Sequence, residues 1–182
     1  MTSMKRNVFI LAICQALLVT ATSLMIATSA LVGQRLADPT LATIPLGMQF
    51  LGMMSSTFPA SLLMKRIGRR LGFMIGASIG IIGACLCTYA ISVHSFVLFS
   101  LGCLLLGVFN GFGQFYRFAA ADVASEDYRS RAISLVLAGG VIAAFAGPNL
   151  ANVMSNSMEV VFAGSYASVI AIHIVALLLI ST

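Results

Sequence analysis

Asn110, Gln114 and Arg117 fall at i, i+4 and i+7 of a long apolar run. On a helix they share one face, within about 60° of one another, and Gly107 extends that face by a turn with a small residue. Two amides and a guanidinium in oily surroundings do hydrogen bonding and anion attraction. They do not break bonds. An arginine facing lipid at mid-membrane costs about 2.5 kcal/mol or more, so one reading turns this face towards a wet cavity. The other lets Arg117 snorkel to the interface, one or two turns from the helix end. A milder polar stripe, Gln15, Thr22 and Ser29, recurs every seven residues on a face that includes Gly33. Such residues either line a pathway or bond across helices as glue. Gln49, Asn149 and Asn152 are secondary candidates.

Catalytic patterns are thin. Gly76-Ala77-Ser78-Ile79-Gly80 satisfies G-x-S-x-G, but that motif makes a nucleophile elbow only between a strand and a helix, and here it lies inside an apolar helix. An intramembrane serine hydrolase would pair Ser78 with His173, the one deep group titrating near neutrality. Such proteases follow their serine directly with glycine, and Ile79 stands there instead. No span holds a deep carboxylate: Asp122 and Glu159 sit at helix ends and Asp38 in a loop. H-E-x-x-H, P-loop and dinucleotide fingerprints are missing. Cys14, Cys85, Cys87 and Cys103 all lie within spans, and Cys85 and Cys87 point to different helix faces, so neither a disulfide framework nor a metal site follows. The sequence therefore predicts no enzyme, no cofactor and no metal.

What must position the polar faces is helix. Of 182 residues, 60% are hydrophobic and 8% charged, with a mean hydropathy of +1.05; a soluble domain carries roughly 25% charged residues. A spanning helix needs about 20 apolar residues. Lipid offers the backbone no partners, so spans are helices or a closed barrel, and these runs are too long and too unalternating for barrel strands. Six helices are predicted at about 8–33, 41–63, 71–92, 95–121, 132–154 and 160–181, an all-α polytopic bundle filling one transmembrane domain over residues 1–182. The lipid bilayer is its first partner.

The net charge of +5 is distributed, not patched. Lys5 and Arg6 precede the first span, Lys65, Arg66, Arg69 and Arg70 fill the 2–3 loop, and Arg129 and Arg131 end the 4–5 loop; Arg35 stands alone on the other side. The positive-inside rule puts both termini and both basic loops in the cytoplasm. Charges separated by spans do not form a nucleic-acid surface. The first apolar run exceeds that of a signal peptide, so it reads as a retained helix.

Small residues recur every fourth position in the third span, Gly72, Gly76, Gly80 and Ala84, and again in the fifth, Gly139, Ala143 and Gly147, with Gly140 and Ala144 offset by one. Such strips let helices pack closely in lipid, which requires a bundle. Gly147-Pro148 predicts a kink near Phe145–Gly147, and Pro45 and Pro59 predict bends in the second span.

The 2–3 loop carries a resemblance. Ser61-Leu62-Leu63-Met64-Lys65-Arg66-Ile67-Gly68-Arg69-Arg70 resembles the signature loop of the major facilitator superfamily, G-x-x-x-D-[RK]-x-G-[RK]-[RK]. Arg66, Gly68, Arg69 and Arg70 match; Ser61 replaces the usual glycine and Lys65 the usual aspartate, which in the family helps latch the cytoplasmic side. Asp122 through Ala132 is similar to the family's 4–5 loop, and Gly139 to Pro148 to the helix-5 motif of its exporters, with Ala151 and Asn152 in place of a second Gly-Gly pair. The resemblance implies the first six of twelve helices, built as two three-helix units of inverted topology. It implies an Arg69–Asp122 pair, a cytoplasmic gate loop of Lys65, Arg66, Gly68, Arg69, Arg70 and Asp122, and a cavity lined by the first and fourth helices, which are the two with polar faces.

The expected function is a secondary active transporter of small molecules, exporter-like, in a bacterial inner (plasma) membrane. Arg117, Gln114, Asn110, Gln15 and Thr22 would line the path, with Gly139, Gly147 and Pro148 as the helix-5 motif. The sequence closes two residues after Leu177–Ile180, so a second six-helix half or a homodimer partner is expected. The alternative keeps the fold and transports nothing, acting as a membrane scaffold.

Overall fold

The computed structural model describes residues 3–181, and among them every regular element is helical. The order is α1 (Ser3–Leu36), α2 (Ile44–Ile67), α3 (Arg69–Ser92), α4 (Phe96–Gly113), α5 (Tyr116–Val123), α6 (Arg129–Met154) and α7 (Ala163–Ser181), with short 3-10 turns at Pro39–Leu41 and Glu126–Tyr128. Four helices are long and apolar enough to cross a bilayer as they stand or with a few flanking residues: α1, α3, α6 and α7; α4 and α5 together supply a fifth run, Phe96–Val123. The second predicted span, α2, has the length, 24 residues, but Gln49, Ser55, Ser56, Thr57 and Pro59 dilute its apolar character. The protein is an integral, polytopic, all-α membrane bundle.

Local chemistry sets the ends. Asp38 accepts the Thr40 backbone N–H at 2.9 Å and the Thr40 hydroxyl at 2.8 Å, capping the turn after α1. Those two bonds hold its exposed carboxyl below the ordinary carboxylate range. Gly68 stands alone between α2 and α3 at φ +89°, a conformation that glycine adopts freely and a side chain resists. Ser95 caps α4 by accepting the Leu98 N–H at 3.4 Å.

Helix pairing follows the small residues. The broadest interfaces join α1 to α6, α2 to α4 and α3 to α4, with α3 also lying along α7. On α3, Gly72 faces Met64, Gly76 faces Phe112 and Gly80 faces His173; on α6, Gly139, Gly140 and Gly147 face α1. One buried cluster at the end of the basic loops includes Val8, Phe73, Phe109 and Tyr116. A second, at the other end, includes Leu24, Phe99, Cys103 and Tyr166.

One expectation differs from what is observed. The fourth span, expected unbroken over 95–121, is interrupted at Gln114–Phe115. Phe115 N–H bonds the Phe112 carbonyl at 3.1 Å, a tightened i+3 turn, in a stretch weakened by Gly111 and Gly113. α5 is then held by Tyr116, whose ring lies 4.5 Å from that of Phe73 on α3. The prolines interrupt nothing: Pro45 opens the first turn of α2, where no donor is missed, and Pro59 and Pro148 sit inside continuous helices. Next to Pro148, the Asn149 amide donates to the Phe145 carbonyl at 2.7 Å.

Candidate functional site

The α1 polar stripe reaches three different helices. Thr22 donates its hydroxyl to Asn110 Oδ1 on α4 at 2.9 Å, sharing the proton with the Leu18 carbonyl at 2.8 Å. Gln15, half-buried, lies beside Gly140 of α6. Ser29 is fully buried, 3.2 Å from the Tyr166 hydroxyl of α7, to which Thr28 also donates at 3.4 Å. Thr20 adds a bond of 3.4 Å to the Ala143 carbonyl. One helix face thus ties α1 to α4, α6 and α7.

The fourth-span trio is divided by the break in its helix. Asn110 is buried in α4; Gln114 is exposed in the turn, and Arg117 is exposed on α5 with its guanidinium 4.9 Å from the Phe118 ring centre. Behind Asn110, Gly107 presses on the backbone of Gln49. Gln49 is buried and, among the described residues, its Oε1 has no hydrogen-bond partner, as is true of the Tyr116 hydroxyl. Nothing in the sequence marks Tyr116 as a polar group without a partner, because its ring alone accounts for its place in an apolar helix.

At the basic-loop end, Arg69 in the first turn of α3 forms an ion pair with Asp122 in the last turn of α5. This pair is a wall shared by two grooves. One, of about 510 Å³, also contains Lys65, Ser61, Phe115 and Phe118. The other, of about 300 Å³, opens between α1, α3, α5 and α7. Arg70 donates to the Ser181 backbone carbonyl, and Arg66 is exposed. Gly68 fixes the turn from which both arginines project.

The hydrolase constellation does not assemble. Ser78 is exposed on α3 and returns its hydroxyl to the Met74 carbonyl at 2.9 Å. His173 is buried, with Nδ1 2.6 Å from the Val169 carbonyl and its ring 4.5 Å from Phe109. Among the described residues no group of three or more His, Cys, Asp or Glu could hold a metal.

A helical bundle with hydrophobic exteriors, cross-linking polar groups and an ion pair of opposite charges at a basic loop has the make-up of a polytopic membrane protein. The chain belongs to the Major Facilitator Superfamily, whose model matches residues 8–182. It is 39% identical to the riboflavin transporter RfnT of Brucella anthropi over 178 residues, 97% of this chain and 45% of the relative. It is 29% identical over 153 residues to the uncharacterized MFS-type transporter YdeG of Bacillus subtilis, covering 84% of this chain and 36% of that protein. The match to YddS of the same organism, also an uncharacterized MFS-type transporter, is 34% over 90 residues, half of this chain and 21% of that one. The chain spans less than half the length of these relatives. The three relatives carry transporter names, and each is matched over only part of its length.

Proposed function

We propose that the chain is the N-terminal six-helix half of a twelve-helix secondary transporter that works by alternating access, with riboflavin as the first substrate to test. The single observation that carries the reading is the Arg69–Asp122 ion pair, which ties the 2–3 loop to the end of the fourth span beneath the bundle. Both partners belong to this half, so the pair holds the loop and the fourth span together as one body that can rock against a second half. The substrate rests on the name of the Brucella relative, similar over nearly all of this chain.

In this reading α2 crosses as well, giving six crossings of a bacterial inner membrane with both termini and both basic loops cytoplasmic. Two inverted three-helix units, α1–α3 and α4–α7, are supported by the pairing pattern. Exchanging first with fourth span and second with fifth turns the α1–α6 interface into the α4–α2 interface, and these are the two broadest of the bundle. Thr22, Asn110 and Gln15 serve the pathway as neutral hydrogen-bonding groups, while Gln114 and Arg117 stand nearer its cytoplasmic mouth. Gly139, Gly147 and Pro148 shape the α6 edge.

The test is riboflavin flux in proteoliposomes, measured in both directions because the helix-5 motif resembles that of exporters. The chain is reconstituted alone and with a matching second half. Flux only with the second half supports the half-carrier, and flux by the chain alone supports a homodimer. Absence of flux in both, for riboflavin and for a panel of neutral solutes, leaves the scaffold reading standing.

A further inference from the structure

The smaller of the two grooves is built for an amphiphile. Its cationic residues are Arg6 from α1 and Arg69 and Arg70 from α3, facing a single carboxylate among the described residues, Asp122. Its apolar wall includes Ile10, Phe73 and Ile180. On both α1 and α3 an arginine sits one turn before an apolar residue of the same groove, Arg6 before Ile10 and Arg69 before Phe73. The spacing i, i+4 stacks the two on one helix face, so charge and oil are graded in the same sense along both walls. Arg69 is matched by Asp122 and Arg70 gives one bond to the Ser181 carbonyl. Arg6 has no ion pair or hydrogen bond among the described residues. α3 begins at Arg69 with Gly68 as its cap and no side chain on its first N–H groups, and a helix start of this kind favours an anion.

We propose that this groove holds the phosphate of one anionic phospholipid, phosphatidylglycerol being the simplest, with the phosphodiester between Arg6 and Arg70 and the start of an acyl chain against Ile10 and Leu11. Free phosphate shares the head-group chemistry but not the apolar wall, which is why the lipid is favoured. Basic pockets between helices at the cytoplasmic face bind lipid head groups on these terms. Because Arg69 and Asp122 form the wall, the bound phosphate offers Arg69 a second acceptor and so competes with Asp122. The inference takes from the proposed topology only which leaflet supplies the lipid; it needs neither flux nor the second half.

Native mass spectrometry of the full chain in a neutral detergent provides the test, and it is blind to orientation and transport. Phosphatidylglycerol and phosphatidylcholine of matched chains are titrated in parallel. The expected result is preferential retention of phosphatidylglycerol, reduced about fivefold for each arginine removed, in Arg6→Gln, Arg70→Gln and the double variant. The Arg6→Lys/Arg70→Lys variant keeps most of the retention, and Arg35→Gln, at the other end of the molecule, leaves it unchanged. Helical circular dichroism and a single elution peak establish that each variant is folded. Equal retention of the two lipids, or undiminished adducts on the double glutamine variant, would overturn the proposal. So would displacement of the lipid by equimolar inorganic phosphate, which would assign the groove to a free anion.

Discussion

Thr22 on α1 and Asn110 on α4 meet at 2.9 Å, hydroxyl to amide oxygen, in a side-chain hydrogen bond that joins the first and fourth spans. Asn110 is almost wholly buried, so its amide oxygen has little recourse to water if Thr22 withdraws. In lipid a cross-helix bond of this kind averages about 0.6 kcal/mol, while an abandoned buried acceptor costs about 1–3 kcal/mol. The penalty for leaving Asn110 unpartnered therefore outweighs the worth of the bond.

That inequality makes a double-mutant prediction. Thr22→Val keeps the side-chain shape and removes the donor; it should destabilise the chain by about 1 kcal/mol. Asn110→Leu should do likewise, and the double variant should lose less than the sum of the two. Thr22→Ser should remain close to the parent. Thermal unfolding in detergent reads the stability, and riboflavin uptake by the complete carrier reads the path. Strict additivity in the cycle would separate the two residues energetically.

The α2–α4 interface rests on backbone approach, with Gly107 against the Gln49 main chain. A methyl there has a carbonyl in its way, and a carbonyl inside two packed helices does not yield as a flexible side chain does. Gly107→Ala should destabilise by about 1–3 kcal/mol through forced separation of the helices. Gly47, on the same helix as Gln49, has open space where its Cβ would be. Gly47→Ala should be neutral, or gain up to about 1 kcal/mol from helix propensity. Fluorescence size-exclusion of the two variants side by side checks the contrast, and equal behaviour would mean the helices are not in close contact.

Arg69 and Asp122 invite a charge exchange. Their side chains are 36% and 58% exposed, so screening leaves the pair worth at most about 1 kcal/mol of stability. Arg69→Asp should hardly change the melting temperature yet should reduce transport by the complete carrier at least tenfold, as two carboxylates now face each other. Arg69→Asp/Asp122→Arg should recover a substantial part of the rate. A swap with no recovery, in a folded protein, would deny the pair its gating role while leaving its contact intact.

Membrane class and helical content were legible because both follow from long-range composition: sustained apolar runs, divided by loops of one charge sign, admit few other folds. The Arg69–Asp122 contact was legible only through family resemblance, since nothing local in the sequence relates position 69 to position 122. The interruption at Gln114–Phe115 was hidden because a helix face is read on the assumption of unbroken 3.6-residue periodicity. Gly111 and Gly113 were warnings, yet glycines that serve packing and glycines that permit a turn look the same in a sequence. The same assumption drew Asn110, Gln114 and Arg117 onto one face, whereas the fold buries the first and exposes the other two.

The second span has the weakest apolar character of the expected crossings, so whether it crosses is the sharpest test of the topology. Asp38 and Arg66 flank it, and both are exposed. The four native cysteines are changed to alanine and single cysteines are then introduced as Asp38→Cys, Arg66→Cys, His94→Cys and Arg131→Cys. Intact cells are treated with a membrane-impermeant maleimide before lysis. If α2 crosses, positions 38 and 94 label and positions 66 and 131 stay protected until the membrane is opened. If α2 lies in the interface instead, 38 and 66 respond alike. The ion pair of α3 with α5 would survive that result, but the first and second spans could no longer exchange with the fourth and fifth, and the inverted-repeat reading would fail with them.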